Sequence, residues 1–236
     1  MKKLLHLCVV IAFCSCAALS QAQSNNDTIP VNKTNDFIIE GSGKNTMWEN
    51  ASWIALDKID TNKTSYQTKF KILYSTKGIY VLFDGSDNKI TSTYQHDFEN
   101  LFNADVYEVF FHPQPSTPLY FEYEISPLDK ELVLLIPNLK GRINGWTPWH
   151  YEGERKVMKA INIKEAEGKM IGWTAELFFP FKLLEPLENN YPSSGTIWHA
   201  NFCRLDYDSG KMIKWSWSPI KVSFHEFLQF KKIKFN

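Results

Sequence analysis

The feature that most constrains the fold of this chain is a succession of short strand patterns separated by turn residues. Residues 66–75, YQTKFKILYS, alternate between apolar and polar side chains, as a strand does when one of its faces lies in a core. Further strand patterns occupy 80–87, 106–111, 119–126 and 130–137, and others follow towards the C-terminus. Only 179–187, FPFKLLEPL, resembles a helical turn. Strands without alternating helices predict an all-β fold, a single antiparallel β-sandwich of jelly-roll type.

The first 22 residues predict a signal peptide and lie outside that fold. Two lysines precede an apolar stretch, which ends at the small-x-small cleavage site Ser20-Gln21-Ala22. The apolar stretch is too short to predict a membrane span. We therefore expect an exported protein that is periplasmic, exposed on the cell surface or secreted, with no transmembrane segment in the mature chain.

Cysteine placement leaves one alternative open for the mature N-terminus. The motif FCSC at residues 13–16 loosely resembles a lipobox, which would make Cys16 the attachment point of a lipid anchor, although Phe13 departs from the usual pattern. Cys203 alone follows the predicted cleavage site, so a mature chain has no partner for an internal disulfide. Residues 23–36 are polar without hydrophobic periodicity and predict a flexible leader, and 37–236 form the predicted domain.

Charge and motifs exclude several classes of function. Acidic and basic residues balance at 26 each, which argues against binding to nucleic acid or to an anionic membrane surface. The six histidines are scattered, and no nucleophile, phosphate-binding or dinucleotide-binding motif occurs. FDGSDNK at 83–89 could contribute ligands to a structural calcium ion, but it lacks the twelve-residue pattern of an EF-hand and a plain turn explains it better. The sequence thus predicts no enzyme, no catalytic metal and no organic cofactor.

Acidic residues within the strand patterns are the first candidates for a binding site. Glu108 lies in the otherwise apolar stretch 101–113, LFNADVYEVFFHP, where a carboxylate without a hydrogen-bond partner is costly. Glu122 and Glu124 share one face of the strand 119–126, about 7 Å apart by the rise of a strand. That spacing suits an inverting glycosidase. Two neighbours on one strand point the same way, however, which favours a solvated or cation-paired face.

Aromatic side chains are the second group of candidates. A sugar ring has an apolar face that aromatic rings cover, and hydroxyl groups that polar side chains bind. Trp146 and Trp149 lie in a segment of turn residues with little apolar sequence around them, and of the two we expect Trp149 to face a ligand. Phe102, ahead of one strand, and the late loop SFHEF at 223–227 are further candidates.

The order of these motifs resembles the family 9 carbohydrate-binding modules, especially the family-9-like proteins exported by Bacteroidetes-type bacteria. The resemblance covers roughly residues 37–236. It rests on IIEGSGKNTMWENASW, GIYVLFDGSD, NADVYEVFFHP, YFEYEISP, GWTAELFFPFKLL, WHANFCRLDY and WSWSP…SFHEFLQFKKIKF, in that order. It implies a β-sandwich fold.

The resemblance also implies roles for individual residues. Phe102 and Phe224 would occupy the positions of two aromatic rings that clamp a sugar, and Glu108 would bind its hydroxyl groups. Asp105 would cap the loop at the entrance of the strand. Glu122 replaces an arginine of the family. Arg204 would then supply a substitute cation, or else form a salt bridge within the strand face.

These observations predict a non-catalytic protein that binds an oligosaccharide or polysaccharide and supports polysaccharide breakdown. One alternative is a structural or protein-interaction sandwich that has lost sugar binding. A glycoside hydrolase is another, and it would require Glu108 to face Glu122 or Glu124 across a cleft.

Overall fold

The computed structural model describes residues 28–61 and 63–236. The predicted signal peptide, Cys16 and the first part of the predicted leader lie outside the described residues. Within the described residues, the strands are β1 (Thr28–Lys33), β2 (Ile54–Ala55), β3 (Asp57–Lys58), β4 (Thr68–Tyr74), β5 (Gly78–Ser86), β6 (Val106–His112), β7 (Leu119–Ile125), β8 (Glu131–Leu139), β9 (Arg142–Ile143), β10 (Thr147–Pro148), β11 (Met158–Ala166), β12 (Lys169–Pro180), β13 (Ile197–Asp206), β14 (Ile213–Ser216) and β15 (Lys231–Phe235).

Short 3-10 helices are the helical elements of the described chain. They span Thr46–Asn50, Leu101–Asn103, Gly153–Arg155, Phe181–Leu184 and Phe227–Gln229. The helical turn expected within 179–187 is therefore present. None of the helices in the described part of the chain has the length and hydrophobicity that a membrane span requires.

The strands form two sheets that share β1. The first sheet has the order β10-β8-β7-β6-β13-β15-β1, and the second continues β1-β4-β5-β12-β11. Aromatic rings of the two sheets meet between them, as when Phe70 of β4 stacks on Phe202 of β13 with ring centroids 3.9 Å apart. This confirms the predicted β-sandwich. The antiparallel pattern has one exception among the described strands, because β1 pairs parallel with both β15 and β4.

The prediction of a flexible leader over 23–36 is wrong for β1, Thr28–Lys33. Residues 28–31 pair with 232–235 of β15, and the next two residues pair with β4. Val31 is fully buried in the main core, whereas its neighbours are largely polar. Ile29, two positions before Val31, is partly buried against the same core, and an alternation this short does not predict a strand. β1 is held by backbone pairing with distant segments.

Both faces of β6 are covered, as its apolar sequence indicates. Tyr107, Val109 and Phe111 point into the main core between the sheets. Val106 and Phe110 point the other way, into a second cluster completed by the C-terminal segment around Phe224 to Phe230. Glu108 lies between Val106 and Phe110 on this outer face. The C-terminal segment therefore covers part of the outer face of the first sheet.

Candidate functional site

A cleft opens beside this C-terminal segment, on the outer face of the first sheet. Its volume is about 430 Å³. Carboxyl groups of β6 and β7 and apolar side chains of β8 line it from the sheet. Loops before β6, before β10 and after β13 and β14 line it from the sides, with the aromatic residues Phe102, Trp146, Tyr207 and Phe224.

Hydrogen bonds between loops hold the aromatic wall in place. Phe102 belongs to the 3-10 helix that precedes β6, and its carbonyl accepts a 2.7 Å hydrogen bond from the Tyr207 hydroxyl. Asp105 accepts the backbone N–H groups of Thr91 and Tyr207, so it caps the loop at the entrance of β6 as expected. Burial raises the pKa of Asp105 to about 7. These contacts fix the position of Phe102 relative to the end of β13.

The aromatic residues differ in how much surface they offer. Trp146 is 54% exposed, and its ring meets that of Phe102 edge-on at a centroid distance of 6.2 Å. Phe224 is only 7% exposed, and its ring lies edge-on to Phe110. Trp146 and Phe102 are therefore the rings best placed to stack on a ligand, while Phe224 forms part of the wall.

Three carboxyl groups line the inner end of the cleft. They belong to Glu108, Glu122 and Glu124, called here the carboxyl trio. Glu108 of β6 is directly opposite Glu124 of β7, and Glu122 lies two residues before Glu124 on the same face. All three side chains are buried. Among the described residues, no N–H or hydroxyl group lies in hydrogen-bond geometry with either oxygen of Glu124 or with Oε2 of Glu122, although the Glu122 and Glu124 carboxyl groups are close enough to share a proton.

Burial changes the acidity of the carboxyl trio. Loss of solvent raises the pKa of Glu122 to about 8. It also raises the pKa values of Glu108 and Glu124 well above their usual range, and repulsion between the neighbouring carboxylates adds to both shifts. The trio therefore retains protons near neutral pH, where an exposed carboxyl group is ionised.

A histidine closes one side of the trio without neutralising it. Burial lowers the pKa of His225 to about 4, so its imidazole is neutral at neutral pH. Its Nδ1 lies 2.9 Å from the Tyr120 hydroxyl and 3.8 Å from Oε2 of Glu122. The longer distance exceeds that of a hydrogen bond. The histidine therefore does not hydrogen-bond this Glu122 oxygen.

The raised pKa of Glu122 predicts that stability falls as the pH rises. The unfolded chain loses this proton near the ordinary value of 4.5, but the folded chain keeps it up to about pH 8. The stabilising contribution is complete below pH 4.5 and is lost as the pH rises through 8. We expect Glu122 to account for a loss of roughly 2 kcal/mol in the free energy of unfolding between pH 6.5 and 8.5.

Urea unfolding of the protein and of its Glu122→Gln variant at these two pH values measures the effect. Glutamine has no proton to lose, so the variant should lose less stability over the interval. Burial also raises the pKa values of Asp87 and Asp105 to about 7, but these residues contribute the same pH-dependent loss of stability to both proteins. Equal losses in the two proteins would contradict the prediction.

The structure corrects the placement of Trp149. Its ring packs against the main core, and its indole Nε1 donates a 3.1 Å hydrogen bond to the Leu183 carbonyl. Arg155 lies over its ring, at 5.4 Å from the centroid. The ring therefore does not line the cleft, and Trp146, which the sequence ranked lower, takes the exposed position.

Arg204 also lies outside the cleft. Its side chain points into the sandwich, is fully buried, and pairs through Nη2 with Asp87 at 2.9 Å and Asp206 at 2.6 Å. It thus forms a salt bridge and cannot serve as a substitute cation for the trio. The remaining predicted site residues, Phe102, Glu108, Glu122 and Phe224, all line the cleft together.

Asp87 and Asp206, together with Asp208, are the best candidates to bind the predicted calcium ion. Carboxylate oxygens of Asp87, Asp206 and Asp208 lie within 4.8 Å of one another. Arg204 already supplies a positive charge to the first two, and the Tyr66 hydroxyl donates to Asp208 at 2.8 Å. These donors occupy oxygens that a calcium ion would need. Structural calcium stays a prediction on which nothing below depends.

Sequence reasoning missed several residues of the cleft. Tyr207 and His225 lie in loops and line the cleft, but neither was among the predicted binding residues, although both stand in motifs that carry the family resemblance. His225 stands within the SFHEF loop that the sequence analysis singled out, and Glu124 was considered only for catalysis. The signal that could have found Glu124 is its alternation with Glu122 on a strand whose other face is apolar.

Comparison with known proteins agrees with the motifs described above. Residues 39–131 match the family model for carbohydrate family 9 binding domain-like proteins, which confirms the resemblance over that stretch. A search of curated protein sequences found no match.

Solved structures extend the comparison to most of the chain. A candidate carbohydrate-binding protein from Bacteroides uniformis ATCC 8492 is similar with a TM-score of 0.72 and 15% identity, over 89% of this chain and 99% of that one. A family 9 carbohydrate-binding module from Caldicellulosiruptor kristjanssonii in complex with cellotriose has a TM-score of 0.64 and 16% identity, over 89% and 93% of the two chains. The complex of a family 9 module from the same organism with glucose has a TM-score of 0.64 and 17% identity, over 89% of this chain and 95% of that one. These structures share the sandwich fold.

Proposed function

We propose that this chain is a non-catalytic carbohydrate-binding protein whose ligand occupies the cleft. The observation that carries the proposal is the convergence of an exposed and a half-buried aromatic ring with unsatisfied carboxyl oxygens on one cleft. Trp146 and Phe102 stand at its side, and the carboxyl trio lines its inner end. A sugar needs both kinds of surface, because its ring has an apolar face and a rim of hydroxyl groups.

The protonation of the trio suits hydroxyl groups. A protonated carboxyl group donates one hydrogen bond and accepts others, as a sugar hydroxyl does. The free oxygens of Glu122 and Glu124 can therefore bind neighbouring hydroxyl groups in either direction. Each bond would orient the sugar while the aromatic rings cover its apolar face.

The arrangement of the trio supports binding over catalysis. A glycosidase places two carboxyl groups on either side of the bond that it cleaves. Glu108 and Glu124 are instead neighbours across adjacent strands, and Glu122 shares their face of the sheet. All three approach a ligand from the same side, so no pair flanks a glycosidic bond.

The family resemblance supplies the biological part of the proposal. The solved family 9 module bound to cellotriose or glucose has the same fold, which makes these β-glucan sugars the first ligands to test. We place the protein outside the cytoplasm, in support of polysaccharide breakdown, on the strength of the predicted signal peptide and the family. Attachment through Cys16 would hold it at a membrane.

Replacing Trp146 with alanine tests the cleft directly. We expect cellotriose affinity to fall about tenfold, since loss of a stacking ring removes the aromatic contact together with its buried apolar area. Isothermal titration against a panel of soluble glycans measures it. Trp53→Ala is the matched control, because Trp53 is 40% exposed and contacts Lys69 and Lys71 away from the cleft.

The control variant should bind as the unmodified protein does. Equal affinity in the Trp146→Ala variant would place the sugar elsewhere. Absence of heat with every glycan would contradict carbohydrate binding and favour the protein-interaction alternative.

A further inference from the structure

The carboxyl trio lacks the partners that other buried acids of this chain possess. Glu176 accepts hydrogen bonds from three backbone amides and an indole. Glu131 accepts from the hydroxyl groups of Tyr123 and Tyr151 at 2.7 and 2.6 Å. Glu122 and Glu124 are 3% and 1% exposed, yet no N–H or hydroxyl group of the described residues donates to three of their four carboxyl oxygens. The fold thus satisfies its buried acids elsewhere and leaves these oxygens facing the cleft.

The titratable groups of the carboxyl trio make the inner end of the cleft acidic in character, although burial keeps protons on them near neutral pH. The trio contributes three acidic groups, whereas Lys214 is the one lysine or arginine among the described residues that line the cleft. Its Nζ donates a 2.9 Å hydrogen bond to the Val222 carbonyl, and it has no ion pair with the trio. His225 is neutral at neutral pH because burial lowers its pKa to about 4. Among the described residues, the inner end of the cleft therefore has no cation that would stabilise the trio in its ionised form.

The walls of the cleft suit a cation as well. Phe102, Trp146 and Tyr207 present aromatic rings beside the carboxyl groups. Aromatic faces attract ammonium groups through their quadrupole, and acceptor-rich carboxyl groups match the three donors of an ammonium group. A hydroxyl group would meet the same oxygens with a single donor and no charge.

We propose that the cleft selects glycans with free amino groups, in which a protonated amine of a hexosamine unit binds the carboxyl trio while its ring stacks on Trp146 and Phe102. The inference rests on the proposed function and names the substrate class. The ammonium group takes the place of the missing counter-ion and donates to Glu122 and Glu124. An N-acetylated sugar lacks that charge and carries extra bulk at the same position.

Ligand binding is then coupled to proton release. Burial and mutual repulsion keep protons on the trio in the free protein, and an ammonium group at hydrogen-bond distance favours the ionised form. One carboxyl proton should leave for solvent as the amine binds, whereas a neutral sugar displaces none. The other titratable groups that line the cleft or contact the trio are Tyr120, Cys203, Tyr207, Lys214 and His225.

Three trisaccharides that differ only at carbon 2 test the proposal. Cellotriose carries a hydroxyl group there, the glucosamine trimer an amine, and its fully acetylated form an acetamide. Titrated near pH 6, where the amine is protonated, the glucosamine trimer should bind the protein at least tenfold more tightly than the other two. That preference should shrink when salt is raised to about 0.5 M, because charge attraction is screened.

Variants separate the role of the trio from general damage. In the Glu122→Gln/Glu124→Gln double variant, the ratio of the glucosamine-trimer affinity to the cellotriose affinity should fall to near one. Glu165→Gln, on an exposed position of β11, should keep the original ratio. If the double variant does not fold, calorimetric titration of the unmodified protein still tests the proposal. Comparing the binding heat in two buffers of different ionisation enthalpy gives the number of protons released on binding. The comparison should show protons released with the glucosamine trimer alone.

The outcomes distinguish the two proposals. If no trisaccharide binds, the proposed carbohydrate-binding function fails. If cellotriose binds as tightly as the glucosamine trimer, or if the two release equal numbers of protons, selection of free amines is overturned while carbohydrate binding stands.

Discussion

Replacing Glu176 with alanine is expected to lower the free energy of unfolding by about 4 kcal/mol, since charged hydrogen bonds contribute roughly 1.5–3 kcal/mol each and are not additive. Glu176 lies in β12 and is buried. Its Oε2 accepts the Gly41 amide at 2.6 Å, and its Oε1 accepts the Trp48 indole at 2.7 Å and the Gly43 amide at 3.1 Å. The Glu40 amide also donates to Oε2.

These bonds fasten the loop before the first 3-10 helix to the second sheet. Alanine would leave four donors without an acceptor and would loosen Trp48, which packs with Tyr80 and Phe178 in a separate cluster. The sequence motif MWENA is therefore anchored by a residue that lies 128 positions further along the chain. Loss of the carboxylate should expose this cluster to solvent.

Urea unfolding followed by tryptophan fluorescence measures the change. Glu176→Gln should show a smaller loss, because one amide oxygen can still accept some of the bonds. Glu165→Ala, on an exposed position of the neighbouring strand, is the control and should change stability by less than about 0.5 kcal/mol. A Glu176→Ala variant as stable as this control would contradict the anchoring role.

Replacing Arg204 with methionine should cost about 3–5 kcal/mol, the range for breaking a buried ion pair by removing one partner. Asp87 and Asp206 share its Nη2, and its Nη1 donates to the Ser86 carbonyl at 2.7 Å. Methionine preserves much of the apolar stem but leaves two buried carboxylates facing each other. The sheets should then separate locally at this end of the sandwich.

The pH dependence of the Arg204→Met variant provides a second readout. Burial raises the pKa of Asp87 to about 7, against the opposing charge of Arg204. Without the guanidinium group this pKa rises further, so the folded variant holds its proton more tightly than the unfolded chain does. Stability then falls further with rising pH, and the difference from the unmodified protein should be larger at pH 8 than at pH 5.

Chemical unfolding at the two pH values tests both parts of this prediction. Arg142→Met is the matched control, because Arg142 is exposed in β9, and its effect should be small at either pH. A loss of stability that does not change with pH would show that packing, rather than the two carboxylates, accounts for the cost.

Strand periodicity correctly predicted most of the sandwich but not its first strand. β7 shows its two faces through alternation, whereas Glu108 stands out in β6 because that strand is apolar on both sides. β1 carries one fully buried residue, Val31, and a partly buried Ile29, an alternation too short to predict a strand. Its position between β15 and β4 follows from backbone pairing with segments far away in the sequence.

The two neighbouring tryptophans show where local reasoning ends. Trp146 and Trp149 are three positions apart, and extended backbone between them directs odd-spaced side chains to opposite faces. The sequence thus implies that one faces the cleft and the other the core. Pairing of Thr147 and Pro148 with β8, and the bond from Trp149 to Leu183, decide which is which.

The sequence by itself determined the all-β class, the two faces of the longer alternating strands, and the presence of acids where apolar residues are expected. Those properties depend on near neighbours and on the two-residue period of a strand. Only the tertiary structure decided which buried acid has a partner. Arg204 reaches Asp87, 117 positions away, and leaves the carboxyl trio without a cation. Residues far apart in the sequence become partners only when the chain folds. Burial makes an unpaired charge costly, but the sequence does not show where its partner lies.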